Sequence, residues 1–135
     1  MRLTTKSEYA LLSLIKIARE QKDGPVRSQE ISDQYDLSKK YLEQILVALS
    51  RAGYLRSKRG YSGGHELAKP AEKITLAEII RLMDGALAPI ESVSQFFFSN
   101  SPIEKEKKLT SVFKEIRDYI SDKMEATTIA DFIEQ

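Results

Sequence analysis

Apolar residues Ala10, Leu11, Leu14, Ile15 and Ala18 recur at three- and four-residue intervals, the spacing that lays one stripe along an α-helix. The pattern predicts an amphipathic helix opened by a capping box at Thr5-Lys6-Ser7-Glu8, running to about Gln21 and stopped by Asp23-Gly24-Pro25. A short helix containing Glu30, Ile31 and Gln34, with Ser28 as its cap, follows. After a break at Tyr35-Asp36-Leu37, Ser38 caps a second helix whose Leu42, Ile45, Leu46 and Leu49 face inward, and Gly53 marks its end. The spacing then changes. Tyr54–Lys58 and His65–Lys69 alternate apolar and polar residues around a glycine-rich turn, which predicts a β-hairpin. Two short helices joined by a tight turn form a helix-turn-helix, and a hairpin directly after it makes a winged helix.

Beyond Pro70, a capping box at Thr75-Leu76-Ala77-Glu78 opens a helix to Asp84 with Ile79, Ile80 and Met83 inside, and Gly85 ends it. Residues 86–101 read as a linker. A third box, Ser101-Pro102-Ile103-Glu104, opens the longest predicted helix, 102–126, with Leu109, Val112, Phe113, Ile116, Tyr119, Ile120 and Met124 along one stripe. Ile129, Phe132 and Ile133 fall in a short terminal helix within 127–135. The expected fold is mainly α with a small β-hairpin: a winged helix-turn-helix domain over 1–85, then a long C-terminal dimerisation helix. A helix of about 24 residues spans roughly 36 Å, whereas the preceding domain has a radius of gyration near ~12 Å. The overhanging stripe therefore calls for a partner. A second copy related by a two-fold axis is the economical one; the other arrangement folds the helix back along its own domain.

Charge sharpens this picture. The net charge is only +1, yet Lys39, Lys40, Arg51, Arg56, Lys58, Arg59 and Lys69 are opposed by only Glu43 and Glu66 between Ser38 and Lys69. That segment carries +5 and the remainder −4, which points to a localised polyanion site. The chain lacks cysteine and has one histidine, His65, which removes disulfides, thiolate zinc sites and thiol nucleophiles. His65 has neither a cysteine nor a second histidine to share a metal. The turn Arg59-Gly60-Tyr61-Ser62-Gly63-Gly64 lacks the lysine-hydroxyl ending of a phosphate loop and follows no βαβ pattern. No constellation meets the geometric requirements of an enzyme active site. No apolar run reaches the length of a membrane span, so no membrane partner is expected. Glu8, Lys16, Arg19 and Glu20 interrupt the N-terminal apolar run, so no signal peptide is expected and the cytoplasm is the expected compartment.

MRLTTKSEYAL, LSKKYLEQIL, RGYSGGHEL, ITLAEIIRLMDG and TTIADFI occur in that order over nearly the whole chain. On these motifs the sequence resembles the Rrf-type winged-helix transcription regulators, the IscR- and CymR-like group. The resemblance implies a homodimer that crosses its long C-terminal helices, through Leu109, Val112, Phe113, Ile116, Tyr119 and Ile120, on a roughly palindromic operator in double-stranded DNA. Repression is the commoner mode in the family.

The polar N-terminal end of the second helix (Ser38, Lys39, Lys40, Tyr41 and Gln44) points away from its apolar stripe, as a major-groove reader requires. The family assigns operator contacts to the positions of Ser38, Tyr41 and Gln44; the alternative for Tyr41 is packing under the wing. Gln44 suits an adenine edge, Lys39 and Lys40 suit phosphates, and Glu43 either accepts from a cytosine amino group or repels wrong sequences. The family places the arginine at the position of Arg59 in a minor groove, where narrow A·T stretches concentrate negative potential. The bland alternative is a solvated turn charge. Gly60 belongs to the same turn, and Lys58, Arg56 and Arg2 suit phosphate contacts.

Many Rrf-type regulators hold an iron–sulfur cluster on three linker cysteines. This linker contains Ser92, Ser94, Ser99 and Ser101 instead, and no cofactor is expected because such clusters are held by thiolates. A naturally cluster-free protein and a cysteine-to-serine replacement both fit this pattern. Phe96, Phe97 and Phe98 stand where a cluster loop would be; they either pack the linker or form a surface that senses a small molecule or a protein effector. The rival to DNA binding is an interaction or metabolite-sensing adaptor with the same fold, which would have no use for Lys39, Lys40 and Arg59.

Overall fold

A computed structural model of the chain describes residues 2–85, 87 and 100–134. Helix α1, Thr5–Glu20, begins with Thr4, whose side chain accepts from the Ser7 N–H, so the cap lies one residue before the predicted box. Ala10, Leu14 and Ile17 are buried on its inner stripe. A 3-10 turn, Gln21–Asp23, and Gly24 at φ +114° end it. Helix α2, Ser28–Tyr35, starts one residue earlier than predicted: Arg27 is the cap residue, and its N–H donates to the Glu30 carboxylate at 2.7 Å. Ser28 is the first helical residue rather than the cap. Asp36, in the left-handed region at φ 55°, turns the chain into helix α3, Lys39–Arg51. Ser38 caps α3 as predicted, accepting from the Tyr41 N–H.

Strands β1 (Leu55–Lys58) and β2 (Gly64–Leu67) pair antiparallel with Leu55 opposite Leu67 and Lys58 opposite Gly64. Helix α4, Leu76–Asp84, carries the predicted capping box, with the Glu78 N–H donating to Thr75 Oγ1 at 3.1 Å and the Thr75 N–H to Glu78 at 3.0 Å. Among the described residues, five α-helices and the two-stranded sheet enclose a main core, in which Leu14, Ile17, Ile31, Leu42, Leu46, Leu49, Ile74 and Ile79 are almost completely buried.

The long helix is shorter than its sequence suggests. The Ser101/Glu104 box forms, but it opens only a 3-10 turn, Pro102–Lys105, and Glu106 is extended at φ −103°, ψ 93°. Helix α5 is therefore Lys107–Ala126, 20 residues and about 30 Å long. Its C-terminal part lies on α4, where Ile120 and Met124 pack against Ala77, Ile80 and Leu87, and Arg81 pairs with Glu125. The predicted terminal helix is a 3-10 turn, Ile129–Phe132. It completes the main core: Ile129 is fully buried, the Ile129 N–H donates to the Ile74 carbonyl at 2.9 Å, and Thr75 and Thr128 form an isolated bridge.

Candidate nucleic-acid interface

Burial of Leu42, Ile45, Leu46 and Leu49 fixes the rotation of α3 and leaves Lys39, Lys40, Glu43, Gln44 and Val47 exposed on its other side. Ser38 is exposed at the helix start, and its backbone N–H donates to the Tyr9 hydroxyl at 3.1 Å. Tyr41 is half-buried, edge-on to Tyr9 with ring centroids 5.1 Å apart and planes at 63°. Its ring partner is thus on α1, and Tyr41 also packs against the main core. Tyr9 carries the N-terminal end of α3, a role that its place beside the α1 stripe did not reveal.

The wing is tied down on two sides. Leu55 and Leu67 anchor it to the core. At its other edge the Val26 N–H donates to the His65 carbonyl at 2.9 Å and the His65 N–H to the Val26 carbonyl at 2.7 Å. Gly64 lies so close to this connection that a Cβ there would meet the Val26 carbonyl group at 2.8 Å. At the tip, Gly60 adopts φ +100° and its carbonyl accepts from the Gly63 N–H at 3.0 Å, placing Tyr61 and Ser62 at the crown. Arg59 and Gly60 are exposed immediately after β1. The Lys58 ammonium pairs with Glu66 across the strands at 3.2 Å, so any phosphate contact by Lys58 competes with that carboxylate. Arg2 is exposed just before α1.

Between α3 and the hairpin lies a cleft of about 390 Å³ lined by Ser28, Glu43, Val47, Arg51, Ser57 and His65 among others. The exposed side of α3 and the inner face of the wing therefore border one groove. His65 Nδ1 lies 3.1 Å from Ser57 Oγ. Burial lowers the His65 pKa from its ordinary 6.5, with the Glu43 carboxylate pulling in the opposite sense, which keeps the imidazole neutral at pH 7. Among the described residues, no group of three or more His, Asp or Glu side chains is placed to hold a metal ion.

The proposed dimerisation residues divide. Leu109, Val112, Ile116 and Tyr119 are exposed, Tyr119 at 77%. Phe113 is half-buried, and Ile120 belongs to the packing of α5 on α4. Phe96, Phe97 and Phe98, with Ser92, Ser94 and Ser99, lie outside the described residues; Ser101 is the capping residue of the Pro102–Lys105 turn. No described helix is long and apolar enough to cross a membrane.

Residues 3–135 match the family described as "Rrf2: Iron-dependent Transcriptional regulator". The transcriptional regulator CymR of Bacillus subtilis is 31% identical over 131 residues, covering 97% of this chain and 88% of its own. Its solved structure, described as the global cysteine regulator of that organism, superposes with a TM-score of 0.81 over 98% of this chain and 96% of that one. The regulator IscR of Cereibacter sphaeroides is 43% identical over 86 residues, 62% of this chain and 56% of its own. The structure of T. potens IscR, at 28% identity, gives a TM-score of 0.75 over 98% of this chain and 86% of that one. These relatives are named as transcriptional regulators, not enzymes, and the winged-helix architecture matches theirs. The chain belongs to the Rrf2 family of helix-turn-helix transcriptional regulators.

Proposed function

We propose that the protein is a homodimeric repressor that reads a palindromic operator with α3 in the major groove and Arg59 in the adjacent minor groove. The observation that carries this reading is the groove shared by the exposed face of α3 and the wing, within the segment that holds the positive excess of an otherwise acidic chain. Ser38, Lys39, Lys40 and Gln44 lie along the exposed start of α3. Gln44 suits an adenine edge, and the lysines suit phosphates. Tyr41 acts mainly through Tyr9, by holding the end of α3 in place. Arg59, beside Gly60 at the wing tip, suits a narrow minor groove. A two-fold dimer presents two such units, matching half-sites about 34–36 Å apart.

The dimer reading is supported by Leu109, Val112, Ile116 and Tyr119, which recur at intervals of three and four along α5 and stay exposed in the described chain. That interval makes a seam for a second helix. The donor set does not fit an iron–sulfur cluster of the kind that many Rrf-type regulators hold. The chain has no cysteine, and its one histidine is half-buried in the wing. We propose that it works without a cluster.

Binding of duplexes selected from a random library, measured against salt, tests the reading. Arg59→Ala and Lys40→Ala should each weaken binding, and Lys40→Ala should flatten the salt dependence by about 1 unit. Absence of salt-dependent duplex binding by the parent protein would favour an adaptor instead.

A further inference from the structure

Tyr61, at the crown of the wing turn, is 96% exposed. A single exposed aromatic is ordinary on a protein surface; what distinguishes Tyr61 is its position. It stands two residues from Arg59, on a turn closed by Gly60 and Gly63. The Arg27 guanidinium lies over its ring, with Cζ 5.9 Å from the centroid. Arg27 reaches it because the Val26–His65 bridge pins the α1–α2 connection along the wing edge, and Arg27 is the next residue. Among the described residues Arg27 has no carboxylate at ion-pair distance; Glu30 engages its backbone N–H instead. The aromatic face thus holds a cation in place without neutralising it.

We infer that Arg27 and Tyr61 together form a backbone-directed DNA contact beside the groove entered by Arg59. The inference rests on the DNA-binding reading above. The Tyr61 hydroxyl donates to one phosphate, and the Arg27 guanidinium contacts the same strand. The ring–guanidinium contact sets their spacing. Backbone contacts of this kind fix the register of a protein on the duplex and carry no sequence information. The pair therefore acts as a clamp that lets Arg59 and α3 do the reading. It also joins two elements, the wing and the start of α2, that would otherwise approach the strand independently.

The test compares Tyr61→Phe, Tyr61→Ala and Arg27→Ala with Arg59→Ala and Lys40→Ala, on a selected duplex and on its scrambled counterpart. Tyr61→Phe, which keeps the ring over which Arg27 lies, should lose affinity several-fold on both duplexes alike because the hydroxyl donor is gone, and Tyr61→Ala should lose more because the ring goes with it. Arg27→Ala should flatten the salt dependence by about 1 unit. Thermal unfolding of Tyr61→Phe should match the parent. Parent-like binding by Tyr61→Phe and an unchanged salt dependence in Arg27→Ala, while Arg59→Ala and Lys40→Ala are impaired, would overturn this inference and leave the DNA-binding reading intact. If all the variants bind as the parent does, both fall together.

Discussion

The hydroxyl of Tyr9 accepts a hydrogen bond from the backbone N–H of Ser38 at 3.1 Å. Helix α1 thereby holds the start of α3 through a donor that the α3 ladder leaves free. The same ring meets Tyr41 edge-on, so one tyrosine fixes both the entry of the helix and the side chain one turn along. Tyr9→Phe removes the hydroxyl and keeps the ring contact. The expected cost is about 1 kcal/mol of folding stability, and the loosened start of α3 should weaken duplex binding several-fold as well. Fluorescence anisotropy on a labelled duplex, alongside calorimetry, measures both. A loss of stability with unaltered affinity would make Tyr9 a packing residue only.

Two wing glycines should respond differently to alanine. Gly60, at φ +100°, has open space where a Cβ would go, whereas Gly64, at φ +145°, would drive one to 2.8 Å from the Val26 backbone. Gly60→Ala should cost only backbone strain, about 1 kcal/mol. Gly64→Ala adds a clash with main chain that cannot rotate away, and should cost about 2–3 kcal/mol or more. Urea unfolding midpoints distinguish them. Equal midpoints would mean that the wing edge is not held against Val26.

Most of the elements were readable because their signals are local. Ser38 and Thr75 cap the helices that they were expected to cap, and the alternation around the glycine turn gave the hairpin. The missed features depend on partners distant in sequence. Nothing near Val26 announces its bridge to His65, and nothing near Thr128 announces its pairing with Thr75. The start of α5 misled for another reason: the Ser101/Glu104 box is satisfied within a single 3-10 turn, and the extended Glu106 separates it from the helix. Likewise the α5 stripe read as one surface, because periodicity cannot tell which edge of a stripe meets the protein's own core. Of the candidate site, the polar start of α3 and the tip position of Arg59 were legible, while Tyr9, Arg27 and Tyr61 became visible only through their contacts.

Acid should loosen the junction between wing and α4. Burial works against the Glu78 carboxylate, but donors from the Tyr54 hydroxyl at 2.6 Å, the Thr75 N–H and Lys69 jointly hold its pKa below the ordinary 4.5. Burial, with the neighbouring Glu78 carboxylate, raises the Tyr54 pKa in turn. Asp84, held by Thr4, Ser7 and Lys6 against its own burial, is likewise lowered from 3.8. With folded-state pKa values below the unfolded ones, both groups contribute stability that is fully present above their ordinary values. It is lost as pH falls through the folded ones. The unfolding midpoint should therefore decline below about pH 4.5. Glu78→Gln should lower stability at pH 7 and flatten the decline, as followed by thermal scans across that range. An unchanged acid profile in the variant would show that Glu78 does not carry the effect.

The two sides of α5 can be separated by single substitutions. Ile116 is 40% exposed on the uncovered seam, whereas Ile120 packs against Ala77, Ile80 and Leu87. Ile116→Asp places a charge where a second copy would sit and leaves the packing of α5 on α4 untouched. It should give a folded monomer by analytical ultracentrifugation. Its duplex affinity should fall at least tenfold, because two half-sites are no longer engaged by linked readers. Ile120→Ala removes buried methyl groups from the α4–α5 contact and should cost about 2 kcal/mol of stability, while the dimer persists at temperatures where the chain is folded. If Ile116→Asp stays dimeric, the seam lies elsewhere on the molecule. If instead Ile120→Ala dissociates while fully folded, the half-buried side of α5 takes part in the interface.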